Sequence, residues 1–305
     1  MAPLPWFTAD DVVRLLPMAH AVDVLESALA GGLDPAADPA RSVLPVAGGQ
    51  VLLMPSESAA HVGVKLVTYA PANSGRGLPR IQGVYVLLDA ATLAPVALLD
   101  GSALTSLRTP AMSAVAVRHL ARPSATRLVV FGSGPQAEGH VEAVRSVRAL
   151  DDVAVVGRDA ARAAALAIRV GGRPGSALDV ADADIVVCAT SAREPLFDGD
   201  LVQPGAVVVA VGSHQPDARE LDSVLVRRAH VVVEDRATAL REAGDVVLAG
   251  LAADDLTTLA EVVTGRVTLA PDRPMVWKSV GMAWQDLVTA AAVVERVYPA
   301  AATEP

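Results

Sequence analysis

From Arg127 onward the chain alternates short apolar, β-branched runs with Ala-rich segments that carry arginines at helical spacing. No other feature narrows the possible folds as much. The runs are "LVVF" (128–131), "VAVV" (153–156), "IVVCA" (185–189), "AVVVAV" (206–211) and "HVVVE" (230–234). They lack the in–out alternation of a half-exposed sheet, so they read as parallel strands buried on both faces and joined by right-handed helical crossovers. The expected fold class is α/β, with a doubly wound parallel sheet in this half.

The residues before Arg127 have a different texture. "GVKLVTYAP" (63–71) and "IQGVYVLLDAATLAPVALLDG" (81–101) read as strands with tight turns, the second a hairpin around Asp89–Pro95, so this half is expected to be α+β. "TSLRTPAMSAVAVRHLA" (105–121) has small and apolar residues along a helical pattern and reads as the connector. Near the end, "VWKSVG" (276–281) reads as a turn, followed by a helix from about Met282 to about Val297. The 305 residues therefore divide into 1–117 with 282–305, and 118–281.

Composition excludes several classes of partner. A formal net charge of -9 argues against a nucleic-acid backbone as ligand. Although 52% of residues are apolar, charged residues, Gly and Pro interrupt every apolar run before it could span a bilayer, so no membrane partner is expected. Cys188 is the only cysteine and cannot form an intramolecular disulfide, and no charged segment leads into an apolar signal core. A cytoplasmic location is the expectation.

"VVFGSGPQAEGH" (129–140) carries the first chemistry. Gly132-x-Gly134-x-x-Ala137 follows a strand and opens a helix, the context of a Rossmann dinucleotide-binding turn. Gly132 permits the tight turn, Gly134 lets the backbone approach a pyrophosphate, and Ala137 keeps helix and strand close. Pro135 suits the first helical position, and with Gln136 it belongs to the helix N-terminus, whose free N–H groups favour an anion.

At the tip of the next strand an Asp or Glu would bind the ribose hydroxyls of NAD. This chain has Gly157-Arg158 there, with Asp159 one step later. Arg158 can grip a 2′-phosphate, which favours NADPH over NADH; its alternative role is a solvated arginine opening a helix that Asp159 caps. The loops "CATSAREPLF" (188–197) and "VGSHQPDAREL" (211–221) follow later strands, so Thr190, Ser191, Ser213 and His214 are candidates for the reactive end of the cofactor. Thr190 and Ser191 could equally cap a helix.

Three cations stand out in the other half: Lys65 in an otherwise apolar strand, Arg108 at the start of the connector, and Arg41 before a strand. Together they suit a small carboxylate substrate, while the alternative pairs each with an internal acid such as Asp89 or Asp100. Met54, Tyr69 and Trp284 are bulky candidates for setting pocket width. No metal is called for.

The segments "GVKLVTYAPANSGRGLPRIQGVYVLLDAATLAPVALLDGSALTSLRTPAMSAVA", "VVFGSGPQAEGH", "GSHQPDAREL" and "VWKSVGMAWQDLVTAAAVVERV" together resemble the ornithine cyclodeaminase/mu-crystallin family, in the right order and over nearly the whole chain. The resemblance implies a Rossmann domain plus a substrate-binding domain that also forms a homodimer. It assigns the substrate carboxylate to Arg41, Lys65 and Arg108, and places the Lys278–Gly281 turn, with Ser279 and Gly281, beside the nicotinamide. Ornithine cyclodeaminases resemble "GGDCPGK" where this chain has "GSHQPDA", so His214 stands in place of an aspartate that handles the substrate amine. A histidine holds a second ammonium less well than a carboxylate does.

The resemblance thus implies an NAD(P)H-dependent imine (ketimine) reductase acting on a small cyclic or linear 2-imino acid. Δ1-Pyrroline-2-carboxylate and Δ1-piperideine-2-carboxylate are examples. His214 and Lys65 are both candidates for protonating the imine. The alternatives are an NAD-dependent ornithine or lysine cyclodeaminase, an alanine dehydrogenase, or a non-catalytic ligand-binding protein of the mu-crystallin kind.

Overall fold

The structure is a computed structural model and describes residues 3–299. Residues 1–2 and 300–305, which the sequence reading assigns to the substrate domain, lie outside the described residues. The chain parts into two compact units, one formed by Met1–Ala28, Asp34–Arg108 and Met282–Pro305, the other by Leu29–Leu33 and Thr109–Gly281.

The first unit is a six-stranded sheet. Its strands are β1 (Trp6–Phe7), β2 (Ser42–Val46), β3 (Gly49–Glu57), β4 (His61–Tyr69), β5 (Ile81–Asp89) and β6 (Pro95–Asp100), in the order β1-β6-β5-β4-β3-β2. Every neighbouring pair is antiparallel except β1 with β6. β5 and β6 form the hairpin expected around Asp89–Pro95: Asp89 Oδ1 accepts from Thr92 N at 2.8 Å and from Thr92 Oγ1 at 2.6 Å, and Leu93 takes a φ of 56° in the turn.

Period-2 alternation sets the two faces of this sheet. Leu52, Met54, Lys65, Val67, Tyr85, Leu87, Ala97 and Leu99 are buried. The C-terminal helix (Ala283–Glu295) packs over β3, β4 and β5. The alternate residues Val51, Leu53, Val62, Val64, Val84, Val86, Leu88, Val96 and Leu98 are only half-buried, and Leu66 is 38% exposed. Helices α1 (Ala9–Leu15) and α2 (Met18–Ala30) lie between β1 and β2 in the chain.

Helix α3 (Gly101–Leu120) follows β6, and Asp100 Oδ1 accepts from Ala103 N at 2.8 Å at its start. The division between the units falls inside this helix, between Arg108 and Thr109.

The second unit holds an eight-stranded sheet in which every pair is parallel. Its strands are β7 (Arg127–Phe131), β8 (Asp152–Val156), β9 (Arg173–Pro174), β10 (Ile185–Cys188), β11 (Val207–Ala210), β12 (His230–Val233), β13 (Leu256–Thr258) and β14 (Met275–Lys278). The order is β13-β12-β14-β11-β10-β7-β8-β9. Read from β9, the first five strands run 3-2-1-4-5, the dinucleotide-binding order, and the order reverses between β7 and β10. Crossover helices α4 (Pro135–Arg145) and α5 (Ala160–Arg169) follow β7 and β8. Short helices α6 (Ser223–Arg228), α7 (Arg236–Glu242), α8 (Gly244–Val247) and α9 (Leu259–Val263) serve the far side.

One expectation is corrected here. "VWK" is not part of a turn but the end of β14, which slots between β11 and β12 with Trp277 fully buried. The run is only four residues long and ends in a lysine, so its pattern does not announce a central strand. The turn begins one residue later, at Ser279. Among the described residues, no helix is long and apolar enough to cross a membrane.

Candidate functional site

In the second unit the turn after β7 is shaped by one glycine in particular. Gly132 has a φ of 128°, and a Cβ there would stand 2.5 Å from Ala189 O, in the loop after β10. Only glycine fits where the loops after β7 and β10 meet, which is the switch point of the sheet. Gly134 is the N-cap of α4, no side chain caps it, and beyond its two chain neighbours no heavy atom lies within 4 Å of where its Cβ would be. Backbone can therefore be approached closely at the N-terminus of an eleven-residue helix whose first residue is Pro135. Gln136 is half-buried, and Ala137 is buried against the strand. His140 accounts for one backbone group: its Nδ1 donates to Gln136 O at 2.7 Å, and burial pushes its imidazole down to about 4, leaving it neutral. This donor set fits a pyrophosphate.

Past β8, Gly157 is half-buried and Arg158 is exposed, while Asp159 caps α5 by accepting from Arg162 N at 3.1 Å. An exposed Arg158 ahead of a helix capped by Asp159 is the geometry of the alternative weighed for this stretch, and it leaves the guanidinium accessible. Asp159 is taken up by the helix, and Arg158 stands at the tip, where a ribose substituent would be read.

The loops after β10 and β11 are held from beneath. Thr190 Oγ1 donates to Glu220 Oε1 at 2.7 Å and accepts from Ala192 N at 3.1 Å. It caps no helix, because the chain continues there as a loop, with Ser191 exposed. Ser213 is buried and donates its hydroxyl to Ala218 O at 2.6 Å, so its side chain braces its own loop, whereas His214 beside it is exposed. Ser279 Oγ donates to Glu234 Oε1 at 2.7 Å, and the same carboxylate accepts from Val280 N and Gly281 N. Gly281, at a φ of 75°, closes this turn.

In the first unit the cations converge on an acid that the sequence reading did not single out. Asp286, fully buried on the C-terminal helix, takes Lys65 Nζ at 2.6 Å on Oδ2 and Arg108 Nε at 3.3 Å on Oδ1. Arg108 Nη1 also donates to Gln285 Oε1 at 2.9 Å, and Lys65 Nζ lies 3.3 Å from Thr105 Oγ1. Asp89 and Asp100 do not pair with these cations; they close the hairpin and start α3. Asp286 is visible in "AWQDLV" as a lone charge in an apolar helical stretch, the same kind of signal that marked Lys65.

Burial pushes the Lys65 ammonium down to about 8, helped by the charges of Arg108 and Arg41 and opposed by Asp286. Arg41, half-buried, is thereby placed within electrostatic reach of Lys65. A second acid sits close by: Asp38 accepts from Ser56 Oγ at 2.6 Å and from Trp284 N at 2.6 Å, and its carboxyl is raised by burial and by Asp286. Lys65 and Arg108 thus share one buried carboxylate with Arg41 in electrostatic reach, a cation-rich setting that suits an anionic ligand. Tyr85 pairs with Lys65 across the strands, and its hydroxyl has no hydrogen-bond partner among the described residues. Of the bulky candidates, Met54 and Trp284 are buried and Tyr69 is half-buried.

Comparison with known proteins fits this geometry. The profile of the Ornithine cyclodeaminase/mu-crystallin family matches residues 6–300. The ketimine reductase mu-crystallin of Rattus norvegicus is 36% identical over 312 aligned positions, covering 97% of this chain and 98% of that one. A Δ1-pyrroline-2-carboxylate reductase of Bacillus cereus (strain ZK / E33L) is 38% identical over 278 positions, 85% of each chain. Among solved structures, that of Thermococcus litoralis Δ1-pyrroline-2-carboxylate reductase in complex with NADH and L-proline superposes with a TM-score of 0.89 at 30% identity, covering 97% of this chain and 98% of that one.

Proposed function

Because the chain belongs to the ornithine cyclodeaminase/mu-crystallin family, we propose that it reduces a small cyclic or linear 2-imino acid to the amino acid with a nicotinamide dinucleotide, NADPH in preference to NADH. The observation that carries this reading is the buried Lys65–Asp286–Arg108 cluster, a cationic site for a carboxylate with a proton donor inside it. Relatives whose names give ketimine and pyrroline-carboxylate reduction support the substrate class.

Arg108 and Arg41 bind the substrate carboxylate, the first as a fork whose plane Gln285 and Asp286 hold. Lys65 protonates the imine nitrogen. With its ammonium at about 8 it is mostly charged at neutral pH yet acidic enough to give up a proton, and Asp286 keeps it oriented. His214, exposed, remains the alternative donor. Gly132, Gly134, Pro135, Gln136 and Ala137 hold the pyrophosphate, Arg158 the 2′-phosphate, and Thr190, Ser191, Ser213, Ser279 and Gly281 border the nicotinamide end. The dinucleotide supplies the hydride that C2 accepts, while the chain contributes orientation and the proton.

We also propose a homodimer. The second face of the six-stranded sheet carries Val62, Val64, Leu66, Val84, Val86 and Leu88 on its central strands and is incompletely covered, and a second copy of that face is its natural partner.

The test is nucleotide oxidation with Δ1-pyrroline-2-carboxylate and Δ1-piperideine-2-carboxylate, run with NADPH and with NADH. Turnover with either imine and a preference for NADPH is the expected result. NAD-dependent release of ammonia from ornithine, lysine or alanine, with no imine reduction, would overturn the reading.

A further inference from the structure

Glu220 follows β11 and is fully buried, although nothing in the proposed chemistry uses it. Its Oε1 accepts from Thr190 N at 2.8 Å and Thr190 Oγ1 at 2.7 Å, and its Oε2 accepts from Gly212 N at 2.7 Å. Thr190 lies just after β10 and Gly212 just after β11, so one carboxylate ties together the chain leaving two adjacent strands. Glycine is required at 212, because a Cβ would run into Thr190 O and Glu220 Oε1.

A second layer supports the first. The N–H groups of Glu220 and Leu221 both donate to Asp245 Oδ1 at 2.8 Å. Asp245 Oδ2 forms an ion pair with Lys278 Nζ at 2.8 Å, without hydrogen-bond alignment, and Lys278 Nζ donates to Ser213 O at 2.7 Å. The network thus reaches the last residue of β14 as well. Burying two acids and a lysine is unfavourable unless each is satisfied, and apolar side chains could pack the same space without that penalty. What apolar side chains could not do is accept three N–H and O–H donors and so fix the loops in register.

We infer that Glu220 is the positioning residue that holds the loops after β10 and β11 in the arrangement that receives the nicotinamide end of the dinucleotide. The inference rests on the nucleotide reading proposed above. It also has a pH signature. Burial raises the Glu220 carboxyl to about 7, against the pull of Lys278, Thr190 and Gly212; the other titratable groups facing it are the Cys188 thiol, which feels its charge, and Asp245, which accepts from its N–H. Once protonated, one carboxyl oxygen becomes a donor where it must accept. The loops then lose a bond, and nucleotide affinity falls as pH drops through about 7.

The experiment is calorimetric titration of NADPH into the full chain and into Glu220→Gln, on both sides of that pH, with amide hydrogen exchange followed at Thr190 and Gly212. Glu220→Gln sets an NH2 against the Gly212 N–H. We expect Kd to rise about tenfold, its pH dependence to flatten and both amides to exchange faster, while the KM for imine at saturating NADPH stays put. Gly212→Ala, which pries the same bonds apart without changing a charge, should weaken binding as well, and it serves if Glu220→Gln fails to fold. Unchanged Kd and exchange in the variants, with normal wild-type binding, would overturn this inference alone. Absence of NADPH binding by the wild type would overturn the functional reading and this inference with it.

Discussion

Lys65 links a sequence anomaly to a chemical role: a lysine in an apolar strand is buried because Asp286 pairs with it, and burial brings its acidity into a useful range. If its ammonium is the acid, kcat/KM falls as pH rises through about 8, since the protonated form is lost above that value. Lys65→Met should lower kcat by at least about 100-fold and abolish that limb in a pH–rate profile. Arg158→Ala should raise the KM for NADPH by about tenfold or more and leave NADH nearly unaffected, because only the 2′-phosphate loses a charged partner. The three cations, the glycine turn and Arg158 were legible in the sequence, as residue types that conflict with their surroundings or sit at fixed places in a motif. Asp286 carried the same signal as Lys65, a lone charge among apolar residues, but its pairing with Lys65 across 221 residues and that of Asp38 with Trp284 across 246 were not legible. No periodicity encodes such pairings.

The turn between β7 and α4 depends on backbone geometry more than on any side chain. Gly132→Ala would force a left-handed residue against Ala189 O, so we expect a loss of roughly 1–3 kcal/mol in a denaturant titration together with loss of dinucleotide binding. At the C-terminal helix the capping carboxylate comes from elsewhere in the chain, since Asp38 accepts from Trp284 N. Asp38→Ala should cost about 1 kcal/mol of stability, read as a lower Tm, and should raise the KM for the imino acid, because that helix carries Gln285 and Asp286. Five buried strands could be read from their apolar runs and the hairpin from its turn. β9, two residues long, and β14, ending in a lysine, fell below what alternation can show; tertiary pairing with neighbours makes them strands.

At the scale of the whole molecule, the parallel sheet of the second unit leaves the turns proposed to hold the dinucleotide at the carboxyl ends of β7, β10 and β11. The sheet of the first unit buries Lys65 on one face and leaves the other, largely apolar face incompletely covered. Light scattering on the eluting protein should give twice 31.2 kDa, and Leu66→Glu, which places a charge on that second face, should shift the species toward monomer without loss of secondary structure. The two-part α/β architecture was legible because each half has its own texture; the free face was not, since half-buried and fully buried apolar positions look alike in a sequence. The central claim is hydride delivery to an imino carbon, and it is tested most directly by isotope transfer. The protein is incubated with NADPH deuterated at the transferring position of C4 and with Δ1-pyrroline-2-carboxylate, and the product is read by mass spectrometry. The account predicts proline carrying a single deuterium at C2. Proline without deuterium at C2, or no proline while the nucleotide is bound, would contradict it.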